Sequence, residues 1–120
     1  MAVELQVSGA FHSPMMASAA SPLAEALAAV EVRQAAIPVV ANVDARPVTE
    51  PDAIRARLVD QVTGAVRWTE CVWMLRELGA DLVVELGPGS VLTGLLKRID
   101  RSLRGHAAGT AAEVEEVLAS

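Results

Sequence analysis

Polar and apolar residues alternate over Val3-Glu4-Leu5-Gln6-Val7, which is the two-residue period of a β-strand. A helix is predicted next: Ser13 can cap it, Pro14 suits its first position, and an Ala-rich stretch carries it to about Val30. Pro22 is expected to restart or kink that helix, because an interior proline loses a hydrogen bond. Ile37-Pro38-Val39-Val40-Ala41-Asn42-Val43 reads as a short buried strand, and Asp44, Arg46, Pro47 and Pro51 mark a loop. From about Asp52 to Val62 the apolar positions Ile54, Leu58 and Val62 fall on one helical stripe, with Gly64 as terminator. Thr69 is placed to cap a helix over 70–78 that turns Cys71, Val72, Leu75 and Leu78 to a core and stops at Gly79. Asp81 to Leu86 has the continuous apolar character of a buried parallel strand. The turn Gly87-Pro88-Gly89-Ser90, a helix from Val91 to about Leu103 and a last helix opened by a Thr110/Glu113 capping box complete the chain. The pattern is α/β, with a parallel sheet, in one domain over 1–120.

This patterning puts Ser8-Gly9-Ala10-Phe11-His12-Ser13-Pro14-Met15-Met16 between the first strand and the first helix. Pro14 biases Ser13 toward extended backbone, so the chain turns sharply just after His12. In an open α/β sheet, ligands and chemistry gather where the chain leaves the carboxyl end of a strand. His12 there suits a general base, although a lone histidine beside a core is more often structural. Gln61 falls in the last turn of its helix, where backbone carbonyls lack intrahelical partners.

Composition narrows the class. The 120 residues are 52% hydrophobic and only 2% aromatic, so Ala, Val and Leu must fill the core. A net charge of -5 argues against a nucleic-acid partner, which needs a clustered basic face. Cys71 is the single cysteine, which excludes an internal disulfide and a cysteine-based metal site and suits a cytoplasmic setting. No apolar run approaches membrane-span length, and Glu4 is unlike a signal peptide.

Four motifs in order carry a resemblance: Ser-Gly-Ala-Phe-His12-Ser-Pro-Met-Met, Ile-Pro-Val-Val-Ala-Asn42-Val, Val66-Arg67-Trp68-Thr69 and Glu85-Leu-Gly-Pro-Gly-Ser-Val-Leu-Thr-Gly94. Together they resemble malonyl-CoA:acyl carrier protein transacylase and the acyltransferase domains of fatty acid and polyketide synthases. The resemblance implies the three-layer, α/β-hydrolase-like acyltransferase core and a ping-pong transfer without cofactor. Malonyl passes from coenzyme A to a serine, then to the phosphopantetheine thiol of acyl carrier protein. It implies that His12 is the general base, that the backbone carbonyl of Gln61 orients it, and that Phe11 and Asn42 bind substrate. Phe11 before the base goes with malonyl selection in the synthase domains; simple packing of the turn is the alternative.

The family's nucleophilic serine sits on a Gly-x-Ser-x-Gly elbow, and no serine of this chain is flanked that way. The expectation is a C-terminal portion of the transacylase, partnered by a missing N-terminal part and inactive alone. Lys97, Arg98, Arg101 and Arg104 form a basic helix face, suited to docking an acidic carrier protein or simply solvated. The rival reading is a stand-alone α/β module holding a phosphate-bearing ligand at 87–90, although a tight βα turn explains that sequence better. His106 is expected in a loop, Cys71 in the core, and Glu85 near a strand end needs a partner.

Overall fold

Residues 9–119 are described by the computed structural model, so the strand expected over 3–7 lies outside them. The chain divides into two units, Met1–Trp68 and Thr69–Ser120.

In the first unit, Ser13 has extended backbone and its hydroxyl accepts the Met15 N–H at 3.3 Å. The same hydroxyl donates to the Ala10 carbonyl at 2.6 Å. Pro14 then opens a single 3-10 turn, Pro14–Met16, which leads into α1, Ala17–Ala28. α1 runs through Pro22 without the expected restart and stops two residues short of Val30. Its end is held from outside: the Arg55 guanidinium donates to Leu27 O at 3.1 Å and Val30 O at 3.0 Å, satisfying carbonyls that a helix terminus leaves open.

The buried strand expected over 37–43 shrinks to β1, Val39–Val40, and Ile37 is 79% exposed. β1 pairs antiparallel with β2, Pro47–Val48, inside the stretch expected to be loop. A proline is tolerated there because a two-residue edge strand needs few donors. The chain reverses between the two strands with Ala45 in the left-handed region, φ 56. Ala41, Ala45 and Val48 are the buried apolar residues of this unit among those described. α2 spans Pro51–Asp60, and Gln61 is its C-cap. Gly64, expected to terminate this helix, stands four residues past its last residue and plays another part. A Cβ there would stand 2.9 Å from Val43 Cγ2 and 3.0 Å from Asp60 O, so the glycine permits close approach.

α3, Trp68–Glu77, begins at Trp68, so Thr69 lies in the first turn and does not cap it. Cys71 and Val72 are buried as expected, whereas Leu78 is half exposed. Gly79, φ 94, ends the helix, with Ala80 N–H donating to Leu75 O and Gly79 N–H to Arg76 O, the paired bonds of a Schellman terminus. β3, Leu82–Leu86, follows, and α4, Val91–Ile99, ends four residues before the expected boundary. Asp100 stops it by accepting the Ser102 N–H and hydroxyl at 2.8 and 2.7 Å. The chain then forms β4, Arg104–Ala108, parallel to β3 in the register Leu82↔Arg104 to Leu86↔Ala108. His106 is therefore a strand residue opposite Val84, correcting the loop assignment. α4 lies so close over β4 that a Cβ on Gly105 would stand 2.8 Å from Thr93 Cγ2 and 3.0 Å from Leu96 Cδ2. Val72, Cys71, Leu96, Leu103 and Ala108 form the core of this unit. The capping box before α5, Ala111–Ala119, is in place: Glu113 accepts the Thr110 N–H at 2.8 Å, and Thr110 Oγ1 accepts the Glu113 N–H at 3.3 Å.

Candidate active site

His12 occupies the left-handed region, φ 58, a conformation few non-glycine residues adopt. Such strain persists only where neighbouring bonds over-determine it. The next residue supplies them, because Ser13 ties its hydroxyl to Ala10 behind the histidine and to Met15 ahead of it. The imidazole Nδ1 of His12 lies 2.8 Å from the carbonyl oxygen of Gln61. A carbonyl can only accept, so Nδ1 carries the hydrogen, and in the neutral ring the lone pair then lies on Nε2. The ring is exposed. Gln61 can offer that carbonyl because it sits at the end of α2, beyond the reach of a further helical N–H.

The end of α2 is itself fastened. Gln61 N–H donates to Arg57 O at 3.0 Å, and Arg57 Nε donates to Asp44 Oδ2 at 2.7 Å. Both partners of that ion pair are mostly covered. Asp44 Oδ1 accepts the Arg46 N–H at 3.1 Å, and the Asn42 carbonyl accepts the Arg67 N–H at 2.8 Å. Burial works to raise the Asp44 carboxyl. The Arg57 hydrogen bond, the Arg46 N–H and the charges of both arginines outweigh it, leaving the group below its usual range. Asn42, Arg57 and Gln61 line a cavity of about 100 Å³ with Val39, Val48 and Leu58. Phe11 does not line it; the ring is 60% exposed and lies over Gly9. The structure thus brings His12 to Gln61 and Asn42 to the Gln61 cavity, and leaves Phe11 outside. Sequence reasoning missed Asp44 and Arg57; the available signal was Arg57 standing one helical turn before Gln61.

In the second unit, Glu85 finds its partner in the start of α4. Its carboxylate accepts Leu92 N–H at 3.0 Å, and Thr93 N–H and hydroxyl at 2.8 Å each. The Thr93 N–H foremost holds the group below its ordinary range; burial opposes it, and the Leu92 N–H and Thr93 hydroxyl add to the lowering. The helix N-terminus that a phosphate would use is therefore filled by the chain's own carboxylate. Lys97, Arg98, Arg101 and Arg104 line one open cleft of about 700 Å³, together with Gly94, Leu103 and Gly105. They do not form one helix face as expected: Lys97 and Arg98 lie on α4, Arg101 on the turn and Arg104 on β4. Arg104 also pairs with Asp81 at 3.0 Å. Among the described residues no cluster of His, Cys, Asp or Glu could hold a metal ion, and no helix is long and apolar enough to cross a membrane.

No family model matches the chain. It is 47% identical over 97 residues to the malonyl CoA-acyl carrier protein transacylase of Synechocystis, covering 81% of this chain and 33% of that protein. With the Bacillus subtilis enzyme of the same name it shares 41% over 103 residues, 86% of this chain and 32% of that one. Among solved structures, the malonyl-CoA:acyl carrier protein transacylase of Xanthomonas oryzae superposes with a TM-score of 0.85 at 44% identity, covering 98% of this chain and 37% of that one. A malonyl-transacylase in complex with a type II polyketide acyl-carrier protein gives 0.82 at 40% identity, covering 97% and 38%. Fold and neighbours together place the chain in the α/β acyltransferase fold. The chain is homologous to the malonyl CoA-acyl carrier protein transacylases, an enzyme family, over a C-terminal portion of them. It spans about a third of the length of the curated relatives it matches.

Proposed function

We propose that this chain carries the general base of a malonyl transfer from coenzyme A to acyl carrier protein, in fatty acid or polyketide synthesis. His12 Nε2 takes the proton of a serine hydroxyl as it attacks the malonyl thioester and gives it to the departing sulfur as the C–S bond breaks, so that coenzyme A leaves as the thiol. In the second half-reaction the same nitrogen takes the proton of the phosphopantetheine thiol as its sulfur attacks the acyl-serine, and returns it to the serine oxygen as the ester bond breaks, which frees the hydroxyl. The Gln61 carbonyl accepts from Nδ1–H throughout, and its negative end stabilises the positive charge as the ring becomes imidazolium. The observation that supports this reading best is the 2.8 Å contact between His12 Nδ1 and the Gln61 carbonyl. The serine comes from residues outside this sequence, which has no Gly-x-Ser-x-Gly. Asn42 and Phe11 border the substrate, and the cleft of Lys97, Arg98 and Arg101 meets the acidic carrier.

Two measurements test it. The purified chain incubated with labelled malonyl-CoA should form no acyl-serine; a labelled serine overturns the assignment of the nucleophile elsewhere. A hybrid in which this sequence replaces the matching part of the Bacillus subtilis relative should transfer malonyl, and His12→Ala in it should lower kcat by about 10²–10⁴-fold. An unimpaired variant refutes the role of the base.

The phosphate-binding module is disfavoured by Glu85, whose carboxylate already occupies the start of α4.

A further inference from the structure

We infer that Asp44 is a positioning residue for His12, acting on the imidazole through Arg57 and the end of α2. The inference rests on the reading of His12 as the base. The path is continuous. Asp44 Oδ2 accepts from Arg57 Nε at 2.7 Å, Arg57 O accepts from Gln61 N–H at 3.0 Å, and Gln61 O stands 2.8 Å from His12 Nδ1. Each step has one geometry. A guanidinium is planar and rigid, so a short charge-assisted bond from its Nε to a carboxylate restricts where the arginine side chain can lie. Arg57 and Gln61 stand four residues apart and meet across one helical turn. Holding the first therefore sets the direction of the second residue's carbonyl.

Asp44 is in turn anchored to its own strand connection. Its Oδ1 accepts the Arg46 N–H, its carbonyl accepts from Arg67 Nη1 at 3.4 Å, and the adjacent Ala45 is buried in the left-handed region. The ion pair is mostly covered, where a charge-assisted bond is screened less by solvent than on the open surface. A helix end with no such tie frays within its last turn, and a carbonyl there would sample several directions. Asp44 removes that freedom. It touches neither ring nor substrate, and its effect is confined to the tautomer and aim of His12.

The test reads the ring itself and needs no turnover. Nitrogen–proton correlation spectra of the chain, taken above about pH 8 where a histidine is neutral, report the fraction of His12 with hydrogen on Nδ1. The wild-type ring should be predominantly Nδ1–H. Asp44→Asn should lower that fraction at least twofold, and Asp44→Glu, which keeps the carboxylate, should restore part of it. An unchanged fraction in a folded Asp44→Asn chain overturns the proposal, as does a wild-type ring carrying its hydrogen on Nε2. If circular dichroism shows Asp44→Asn unfolded, Arg57→Lys keeps the charge, loses the fork, and is read by the same two outcomes. A hybrid enzyme without transferase activity, alongside an intact tautomer response, sinks the functional reading and leaves the positioning role standing.

Discussion

At the scale of single residues, the site depends on a histidine held in a backbone conformation it would not choose. The conformation aims the ring at Gln61, and Ser13 maintains it through bonds on both sides. This has a measurable signature. His12→Ala and His12→Gly both lose the ring, but only glycine adopts positive φ freely. The glycine variant should therefore be more stable than the alanine variant by about 1 kcal/mol in denaturant titration. Equal stabilities would mean that the turn relaxes out of the left-handed region without its ring. Cys71, by contrast, is a buried thiol in the core of its unit, as its apolar helical setting predicted.

At the scale of elements, β3, α4 and β4 form one βαβ unit fastened at two points. The first is Glu85, whose carboxylate replaces the usual side-chain cap at the start of α4; Ser90, at the cap position, makes no such bond. Because the folded group sits below its ordinary value of 4.5, the sign is fixed. Its contribution to stability is complete above that value and is lost as pH falls through the lowered one. Glu85→Gln should therefore flatten the dependence of melting temperature on pH in that acid window. A variant with the slope of the wild type would rule the cap out. The second point is Gly105, where α4 leaves no room for a side chain. Gly105→Ala should cost about 1–3 kcal/mol by overpacking against Thr93 and Leu96, read in the same melts.

These elements also show what the sequence could convey. α2, α3, β3 and α5 were legible because each has a long apolar pattern or an explicit stop or start signal, such as the Ile54 and Leu58 stripe, Gly79, or Thr110 with Glu113; Pro51, expected in the loop, is the first residue of α2. β1 and β2 were misjudged because two residues are too short for a period to register. β4 was missed because Arg-Gly-His-Ala-Ala has little strand propensity; it is extended because β3 lies beside it. For the candidate site, the free carbonyl of Gln61 followed from its place in a helix's last turn. The Asp44–Arg57 pair did not, since thirteen positions separate the two residues and nothing local announces their meeting.

At the scale of the whole molecule, charge is unevenly distributed. The chain carries -5 overall, yet four of its 10 cationic side chains line a single cleft. Arg104 spends part of its charge on Asp81, which leaves Lys97, Arg98 and Arg101 to set the positive field of the cleft, the surface proposed above for the carrier. In the hybrid enzyme, Lys97→Glu with Arg101→Glu should raise the Michaelis constant for carrier protein severalfold and leave that for malonyl-CoA unchanged. The carrier effect should also weaken with added salt. Equal effects on both substrates would dismiss the cleft as a docking surface.

The group that orients His12 belongs to the main chain, and this decides what mutagenesis can detect. A peptide oxygen is present whichever side chain accompanies it, so Gln61→Ala should leave the imidazole held as before. An alanine scan would pass over this oxygen as silent. Only an alteration of the peptide linkage itself, such as ester replacement by chemical ligation, would expose how much the imidazole owes to that one oxygen.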